Sequence, residues 1–101
     1  MGTNRKLPFG YRMEFGRIAI HLEEASWVQY IFTQYNQGVS FQGITDKMRS
    51  SGMPYDGDKQ WNKNMIARIL SDKRYCGDRG YPGIIDGVAF QKAAEKRKKK
   101  S

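Results

Sequence analysis

The chain has 101 residues, with a hydrophobic content of 39% and an aromatic content of 13%, which suits one small folded domain and is too apolar for a fully disordered protein. Its formal net charge is +8, but much of this lies in residues 96–100, because positions 1 to 95 hold 13 basic and 10 acidic residues. The single cysteine excludes an internal disulfide and a cysteine-rich zinc site, and no apolar run reaches membrane-spanning length.

A β-hairpin is the first predicted element. Tyr11, Met13 and Phe15 alternate with charged residues, which is the period of a half-buried strand, and a second alternating run begins at Ile18. We expect the turn between the two strands at residues 15–17. The apolar side of this hairpin is therefore predicted to face a core.

Two helices are predicted next. The longer covers residues 22–37, because its apolar residues recur at three- and four-residue steps. This stripe consists of Ala25, Val28, Ile31, Phe32 and Tyr35. The second helix is predicted to start after Ser40 as its N-cap and to end near residue 51, with Phe41, Ile44 and Met48 facing inward.

A third, shorter helix is predicted at residues 63–71. Asn62 is its expected N-cap, since its side-chain oxygen can accept from the free amides of the first turn. One face is apolar and consists of Ile66, Ile69 and Leu70. The opposite face is basic and amide-rich and consists of Lys63, Asn64, Ala67 and Arg68. From this pattern alone, the second face is either solvated surface or a surface that contacts DNA.

The remaining third of the sequence predicts a short strand and a last helix. Residues 74–79 are expected to form the strand, with Cys76 as a small packing residue. Asp86 is a candidate N-cap for the last helix. The apolar residues of that helix are Val88, Phe90, Ala93 and Ala94. It runs out into residues 96–101, which are predicted to be a basic tail or linker.

These elements predict a mostly α fold with a small β element, in the α+β class. A helix-turn-helix-like core of three helices would be preceded by the hairpin and followed by the C-terminal helix. The loop at residues 52–62 is longer than the tight turn of the simplest such bundles, which favours an embellished variant. We expect a flexible lead-in at residues 1–7, one domain at residues 8–95, and the tail beyond.

The ordered motifs from residue 8 to residue 90 carry a family resemblance. The first part comprises Pro8-Phe9-Gly10-Tyr11, His21-Leu22-Glu23-Glu24-Ala25, and Val28, Ile31, Phe32, Tyr35, Gly38 and Ser40. The second part comprises Ile44, Met48, Gly52-Met53-Pro54, the run from Trp61 to Leu70, Tyr75-Cys76-Gly77, Ile84-Ile85-Asp86 and Phe90. This set resembles the recombinase DNA-binding domain of large serine recombinases, a group that includes phage integrases and transposon resolvases. Gly43 departs from the pattern, since a bulkier or acidic residue is common there.

The resemblance implies an excised middle domain that binds duplex DNA at an attachment-site or resolution-site half-site and cleaves nothing alone. In this family catalysis belongs to a separate N-terminal domain with a nucleophilic serine and clustered arginines. A zinc-ribbon domain usually follows, and the one cysteine here cannot supply it. No metal or other cofactor is therefore expected in this chain.

The resemblance also places the third predicted helix in the major groove. Lys63, Asn64 and Arg68 are then expected to reach base edges, because Arg suits guanine and Asn suits adenine. Ala67 is small enough to approach the bases closely or to touch a thymine methyl. Phosphate contacts are expected from Lys59, Gln60, Arg74 and Arg79, of which the two arginines rank below the other two.

The implied partners are double-stranded DNA and the catalytic and zinc-ribbon domains of the same parent chain. We expect the isolated domain to be a monomer and the parent protein to be a dimer or tetramer on DNA. No membrane partner is expected, because the N-terminus also lacks the apolar core of a signal peptide. The expected location is the cytoplasm of a bacterium, in association with the nucleoid, with a phage or mobile element as the origin.

Three other functions stay open at this point. A non-specific or RNA-binding module would need exposed aromatic platforms, for which the sequence offers Tyr30, Tyr55 and Tyr81. A protein-interaction module would dock a partner on the first helix. A small enzyme lacks support, because His21 is placed to start or cap the long helix and the loop acids show no partner pattern. These acids are Asp56, Asp58, Asp72 and Asp78.

Overall fold

A computed structural model describes residues 7–57 and 59–100 of the chain, except for the side chain of Lys100. Over these residues a two-stranded antiparallel sheet is followed by four α-helices. The strands are β1, Tyr11–Glu14, and β2, Arg17–Ile20; the helices are α1, Leu22–Asn36, α2, Phe41–Ser50, α3, Lys63–Ser71, and α4, Gly87–Lys100. The predicted fold class is confirmed. The predictions for residues 1–6, Asp58 and residue 101 lie outside the described residues.

The hairpin forms where it was predicted, but its burial differs. Tyr11 pairs with Ile20 at the base of the hairpin and is buried. Met13 and Phe15 are 55% and 98% exposed, so the prediction that they face the core is wrong. Strand periodicity fixes which residues share a face, whereas burial depends on what lies over that face. Here the base of the hairpin is buried at Tyr11 and the end near the turn is exposed.

The hairpin turn places a phenylalanine in a left-handed backbone conformation. Both turn residues have positive φ angles, +52° at Phe15 and +75° at Gly16, as a two-residue type I′ turn requires. Glycine adopts this conformation freely, whereas the Cβ atom of Phe15 is strained in it. The exposed ring of Phe15 gains no burial in return.

Replacing Phe15 by asparagine is therefore expected to raise the free energy of unfolding by about 1 kcal/mol, because Asn tolerates the left-handed region and Asn-Gly favours this turn. Urea denaturation followed by circular dichroism measures the change. The control is Phe15→Ala, which removes the ring but leaves a strained Cβ atom. An equal gain in the alanine variant would show that backbone strain is not the cause.

Helices α1 and α2 supply one side of the core and follow their predicted patterns. All five residues of the α1 stripe are buried, and the Nδ1 atom of His21 accepts from the Glu24 amide at 3.3 Å, which confirms His21 as the cap. Ser40 caps α2 by accepting from the amide of Gly43 at 3.0 Å. A Cβ atom at Gly43 would lie 2.9 Å from the Cγ1 atom of Val39, so close packing favours glycine there.

The segment after α3 is helical in its hydrogen bonding, and the prediction of a strand at residues 74–79 is wrong. Two short 3₁₀ turns, Lys73–Cys76 and Asp78–Gly80, take its place. The Asp72 carboxylate starts the first turn by accepting from the Arg74 amide at 3.0 Å, and Gly77 separates the two at φ +98°. Cys76 is exposed rather than packed, and its thiol donates to the Lys73 carbonyl at 3.2 Å.

Two buried tyrosines tie the hairpin to this 3₁₀ segment. The hydroxyl of Tyr75 donates to the Phe9 carbonyl at 2.6 Å. The hydroxyl of Tyr11 lies 3.0 Å from the Arg74 carbonyl and 2.7 Å from the Pro82 carbonyl. Residues 9–11 are therefore bonded to the segment that follows α3, although more than half of the sequence separates the two.

This anchor predicts an alkaline loss of stability. Burial, with the nearby Asp72 carboxylate as a second cause, raises the pKa of Tyr11 from 10.0 to about 12. The unfolded state then loses this proton at lower pH than the folded state, so the stabilisation is complete below pH 10 and is lost as pH rises towards 12. We expect a loss of about 2 kcal/mol over that interval, measured by urea denaturation at each pH.

The matched control for this pH series is Tyr11→Phe, which removes the titrating hydroxyl. The variant should be less stable at neutral pH and should lose less stability between pH 10 and 12. Part of the alkaline loss should persist in it, because burial also raises the pKa of Tyr35. An unchanged pH profile in the phenylalanine variant would contradict this role of Tyr11.

Helix α4 closes the core and includes the basic run near the end of the chain. The Asp86 carboxylate accepts from the Ala89 amide at 2.8 Å, which confirms the predicted cap, and Phe90 and Ala93 are buried. The helix continues through residues 96–100, which the sequence assigned to a tail or linker. Lysine is a good helix former, and the Nζ atom of Lys96 lies 5.8 Å from the ring centre of Tyr35. Both features favour continuation of the helix over this basic run.

Candidate nucleic-acid interface

The entry into α3 is fixed by a buried tryptophan. Trp61 is 2% exposed, and its Nε1 atom donates to the Met53 carbonyl at 2.8 Å. Its ring meets Phe9 edge to face at 4.9 Å and Tyr55 at 5.1 Å between centroids. Its own carbonyl accepts from the Nε atom of Arg49 on α2 at 2.7 Å. The start of α3 is therefore held by the core, by the preceding loop and by α2.

Helix α3 has the two faces that its sequence predicts. The Asn62 side chain accepts from the Met65 amide at 2.9 Å, which confirms the N-cap. The apolar face is buried and consists of Ile66, Ile69 and Leu70. On the opposite face Lys63, Asn64 and Arg68 are exposed and Ala67 is half-buried. Within the described part of the chain, no ion pair engages Lys63 or Arg68, so both charges are available to an outside partner.

Within the described part of the chain, three of the larger grooves border the polar face of α3. The smallest, of about 330 Å³, lies against α2 and is lined by Gln42, Thr45, Arg49, Asn62, Lys63 and Asn64. A second, of about 580 Å³, lies between α1, α2, α3 and α4 and is lined by Tyr35, Ser40, Phe41, Gln42, Lys63, Ala67 and Arg97. The third, of about 660 Å³, lies beside the C-terminal half of α3. Its cationic lining residues are Arg68, Lys73, Arg74 and Arg79.

The predicted site residues lie on α3 and on the segments directly before and after it. Lys63 and Asn64 share the first groove, and Arg68 lines the third together with Arg74 and Arg79. Lys59 and Gln60, which are both exposed, lie in the loop before α3 and line none of these three grooves.

Arg74 differs from Arg68 because its charge has a close partner. Its Nε and Nη2 atoms donate to the two carboxylate oxygens of Asp72 at 2.9 and 2.7 Å. This hydrogen bonding raises the pKa of the Arg74 guanidinium, which also lies 5.2 Å from the ring centre of Tyr81. Arg79 has a looser contact, 3.7 Å from the Asp78 carboxylate. Compensated charges attract an anion less strongly than the charge of Arg68, which has no ion-pair partner among the described residues.

A comparison of this sequence with known protein families identifies the family of the chain. Residues 22–100, which include all four helices, match the family model for Recombinase. The chain belongs to the Recombinase family. The resemblance seen in the sequence motifs is thereby confirmed. No curated protein matches this recombinase-family chain.

Two solved structures share the fold of this recombinase domain. One is described as the crystal structure of an LSR–DNA complex; it matches with a TM-score of 0.74 and 20% identity, over 96% of this chain and 33% of the other. The second comes from work on the sequence requirements of the Listeria innocua prophage attP site; it matches with a TM-score of 0.73 and 19% identity, over 97% of this chain and 45% of the other. The recombinase domain therefore spans less than half the length of either structure.

Among the polar residues that line the grooves of this recombinase domain, the sequence analysis missed Gln42, Arg49, Lys73 and Arg97 as candidate contacts. Arg97 was assigned to the tail on its composition. A helical continuation would have revealed it, because it follows Phe90 by seven positions and Ala93 by four, which places it on their face. For Gln42 and Arg49, on α2, the sequence alone gave no signal, since their role depends on how α2 meets α3.

Other sites considered for the recombinase domain find little support in the described residues. No group of three His, Cys, Asp or Glu side chains there could hold a metal ion. No helix of the described part is long and apolar enough to cross a membrane. The three tyrosines considered as stacking platforms are partly buried and belong to separate aromatic pairs.

Proposed function

We propose that this recombinase-family chain reads duplex DNA by placing α3 in the major groove. The observation that carries the proposal is the pairing of two faces on one short helix. The apolar face is buried, while Lys63, Asn64 and Arg68 are exposed and the two cations have no ion-pair partner within the described residues. A rigid helix with free amide and guanidinium groups suits the donor and acceptor pattern of major-groove base edges.

Each residue has a separate part in this proposal. Arg68 is suited to the O6 and N7 acceptors of guanine, and Asn64 to the N6 and N7 atoms of adenine. Ala67 allows close approach to a thymine methyl. Lys59, Gln60 and Arg79, with the N-terminal amides of α3, would hold phosphates. Arg74 would contribute less, because Asp72 already compensates its charge.

For the parent protein we propose a serine site-specific recombinase in which this chain is the middle domain. The structural neighbours are two to three times longer than the chain, so catalytic and zinc-ribbon domains would lie elsewhere in the parent. The chain would place that catalytic domain on an attachment or resolution site and cleave nothing alone. It would act as a monomer when isolated, and as part of a dimer or tetramer in a bacterial nucleoid.

The experiment that tests this function is selection of bound duplexes from a random-sequence DNA pool, using the whole chain at near-physiological salt. We expect an enriched motif of roughly one to one and a half helical turns, as for a single half-site. The matched control is the double variant Lys92→Gln/Lys99→Gln, which lowers the charge on exposed parts of α4 and should enrich the same motif. Binding without any enrichment would favour a non-specific basic module instead.

A further inference from the structure

The groove between α1, α2, α3 and α4 combines apolar and cationic lining residues. We call the apolar residues Tyr35, Phe41 and Ala67 its floor, and the cationic residues Lys63 and Arg97, from two different helices, its rim. Its volume of about 580 Å³ is open to solvent on the same side as the polar face of α3, since Lys63 and Ala67 line both. A ligand bound to the polar face of α3 would therefore lie beside this groove.

The guanidinium of Arg97 is incompletely satisfied. Its Nη2 atom reaches the Leu70 carbonyl at the end of α3 only at 3.5 Å. Its Nε atom is buried and has no hydrogen-bond partner among the described residues. The buried Tyr35 hydroxyl is close enough for the charge of Arg97 to oppose the rise that burial causes in the pKa of Tyr35. A buried donor without a partner is uncommon in folded proteins, and an acceptor in the groove would satisfy it.

The start of α2 adds further donors to the rim. Ser40 and Gln42 line the groove, and Ser40 is the N-cap of α2, a helix of 10 residues. The Ser40 hydroxyl oxygen already accepts from the Gly43 amide. The earlier amides of the helix lack intrahelical partners, as at every helix start, and favour an anion. The groove thus offers positive charge at its rim and an aromatic and methyl surface at its floor.

We propose that this groove binds one deoxyribose-phosphate unit of the DNA backbone, with the phosphate between Lys63 and Arg97 and the sugar against Phe41 and Ala67. This inference rests on the proposed function and refines it. A bare anion would leave the apolar floor uncovered, and an apolar ligand would leave two cations unpaired. The sugar-phosphate unit satisfies both surfaces, since one end is an anion and the other is largely apolar. Lys63 and Ala67 are then backbone contacts, which replaces the thymine-methyl contact proposed for Ala67, and base readout falls to Asn64 and Arg68.

The test compares Arg97→Gln with Lys99→Gln in the whole chain on the selected duplex. Each variant removes one positive charge from α4, but Lys99 is exposed and lines none of the three grooves. The slope of log K against log salt should become about 0.9 shallower in the Arg97 variant, as expected for one lost phosphate contact. The Lys99 variant should keep the wild-type slope.

Neutral methylphosphonate substitutions, scanned along the same duplex, then locate the contact. One backbone position should weaken binding by the wild type but have no further effect on the Arg97→Gln variant. Lys63→Gln should be silent at that same position, and because Lys63 is exposed this second variant does not depend on the packing of α4. Thermal denaturation checks that each variant is folded.

The outcomes separate the two proposals. If both α4 variants show the same slope, or no backbone position couples to Arg97 or Lys63, the sugar-phosphate groove is wrong while DNA reading by α3 stands. If the wild-type chain selects no duplex at all, the proposed function itself fails. A single coupled position shared by Arg97 and Lys63 would support the groove as a backbone site.

Discussion

Replacing Trp61 by alanine is expected to destabilise the domain by about 3–5 kcal/mol, the usual cost of emptying a large aromatic site in a core. The ring is 2% exposed and contacts Phe9 and Tyr55, and its Nε1–H bonds the Met53 carbonyl. A domain of this size has a total stability of about 5–15 kcal/mol, so the loss is a large part of it. Urea denaturation followed by far-ultraviolet circular dichroism measures the effect.

The matched control is Trp61→Phe, which keeps an aromatic ring and loses the hydrogen bond to Met53. It should cost less than the alanine variant, because part of the core stays filled. DNA binding by Trp61→Ala should fall with the folded fraction, since Trp61 fixes the start of α3. An alanine variant within about 1 kcal/mol of the wild type would contradict the central packing role assigned to this ring.

Replacing Arg68 by alanine is expected to have the largest effect on DNA recognition. Arg68 is exposed and has no ion-pair partner among the described residues, so its removal should leave the fold unchanged. Affinity for the selected duplex should fall by about 1–3 kcal/mol, and the preference at one base position should relax. Titration against the selected duplex and against single-base variants of it measures both changes.

The control for this substitution is Arg12→Ala, which removes the same charge from an exposed position on the hairpin. It should change the affinity for all duplexes by a similar small factor and leave the base preferences intact. If the two variants behaved alike, binding would depend on overall charge, and the assignment of Arg68 to a base edge would be wrong.

The local features of the chain were predictable to within a residue or two. The caps at His21, Ser40, Asn62 and Asp86 all bond the amides that the sequence assigns to them. Capping works through atoms three positions away, so the sequence alone contains all the necessary information. The same holds for the two faces of α3, because helical spacing fixes which side chains share a face.

Predictions failed where the outcome depended on a distant part of the chain. Met13 and Phe15 have the right spacing for a buried strand face, but the fold leaves both side chains exposed. Residues 74–79 were predicted as a strand, yet Asp72 caps a 3₁₀ turn there and the Tyr11 hydroxyl bonds the Arg74 carbonyl. Cys76 is exposed for the same reason, because this turn directs it away from the core.

The same distinction between short-range and long-range effects applies to the candidate site. The sequence by itself determined the family motifs, the helix ends and the identity of the polar face of α3, because these depend on residue type and short-range spacing. Only the tertiary structure decided that Asp72 compensates Arg74, that Lys63 and Arg97 line one groove, and that Arg49 holds the start of α3. These contacts join different segments of the chain, and they form only when the burial of apolar surface brings those segments together.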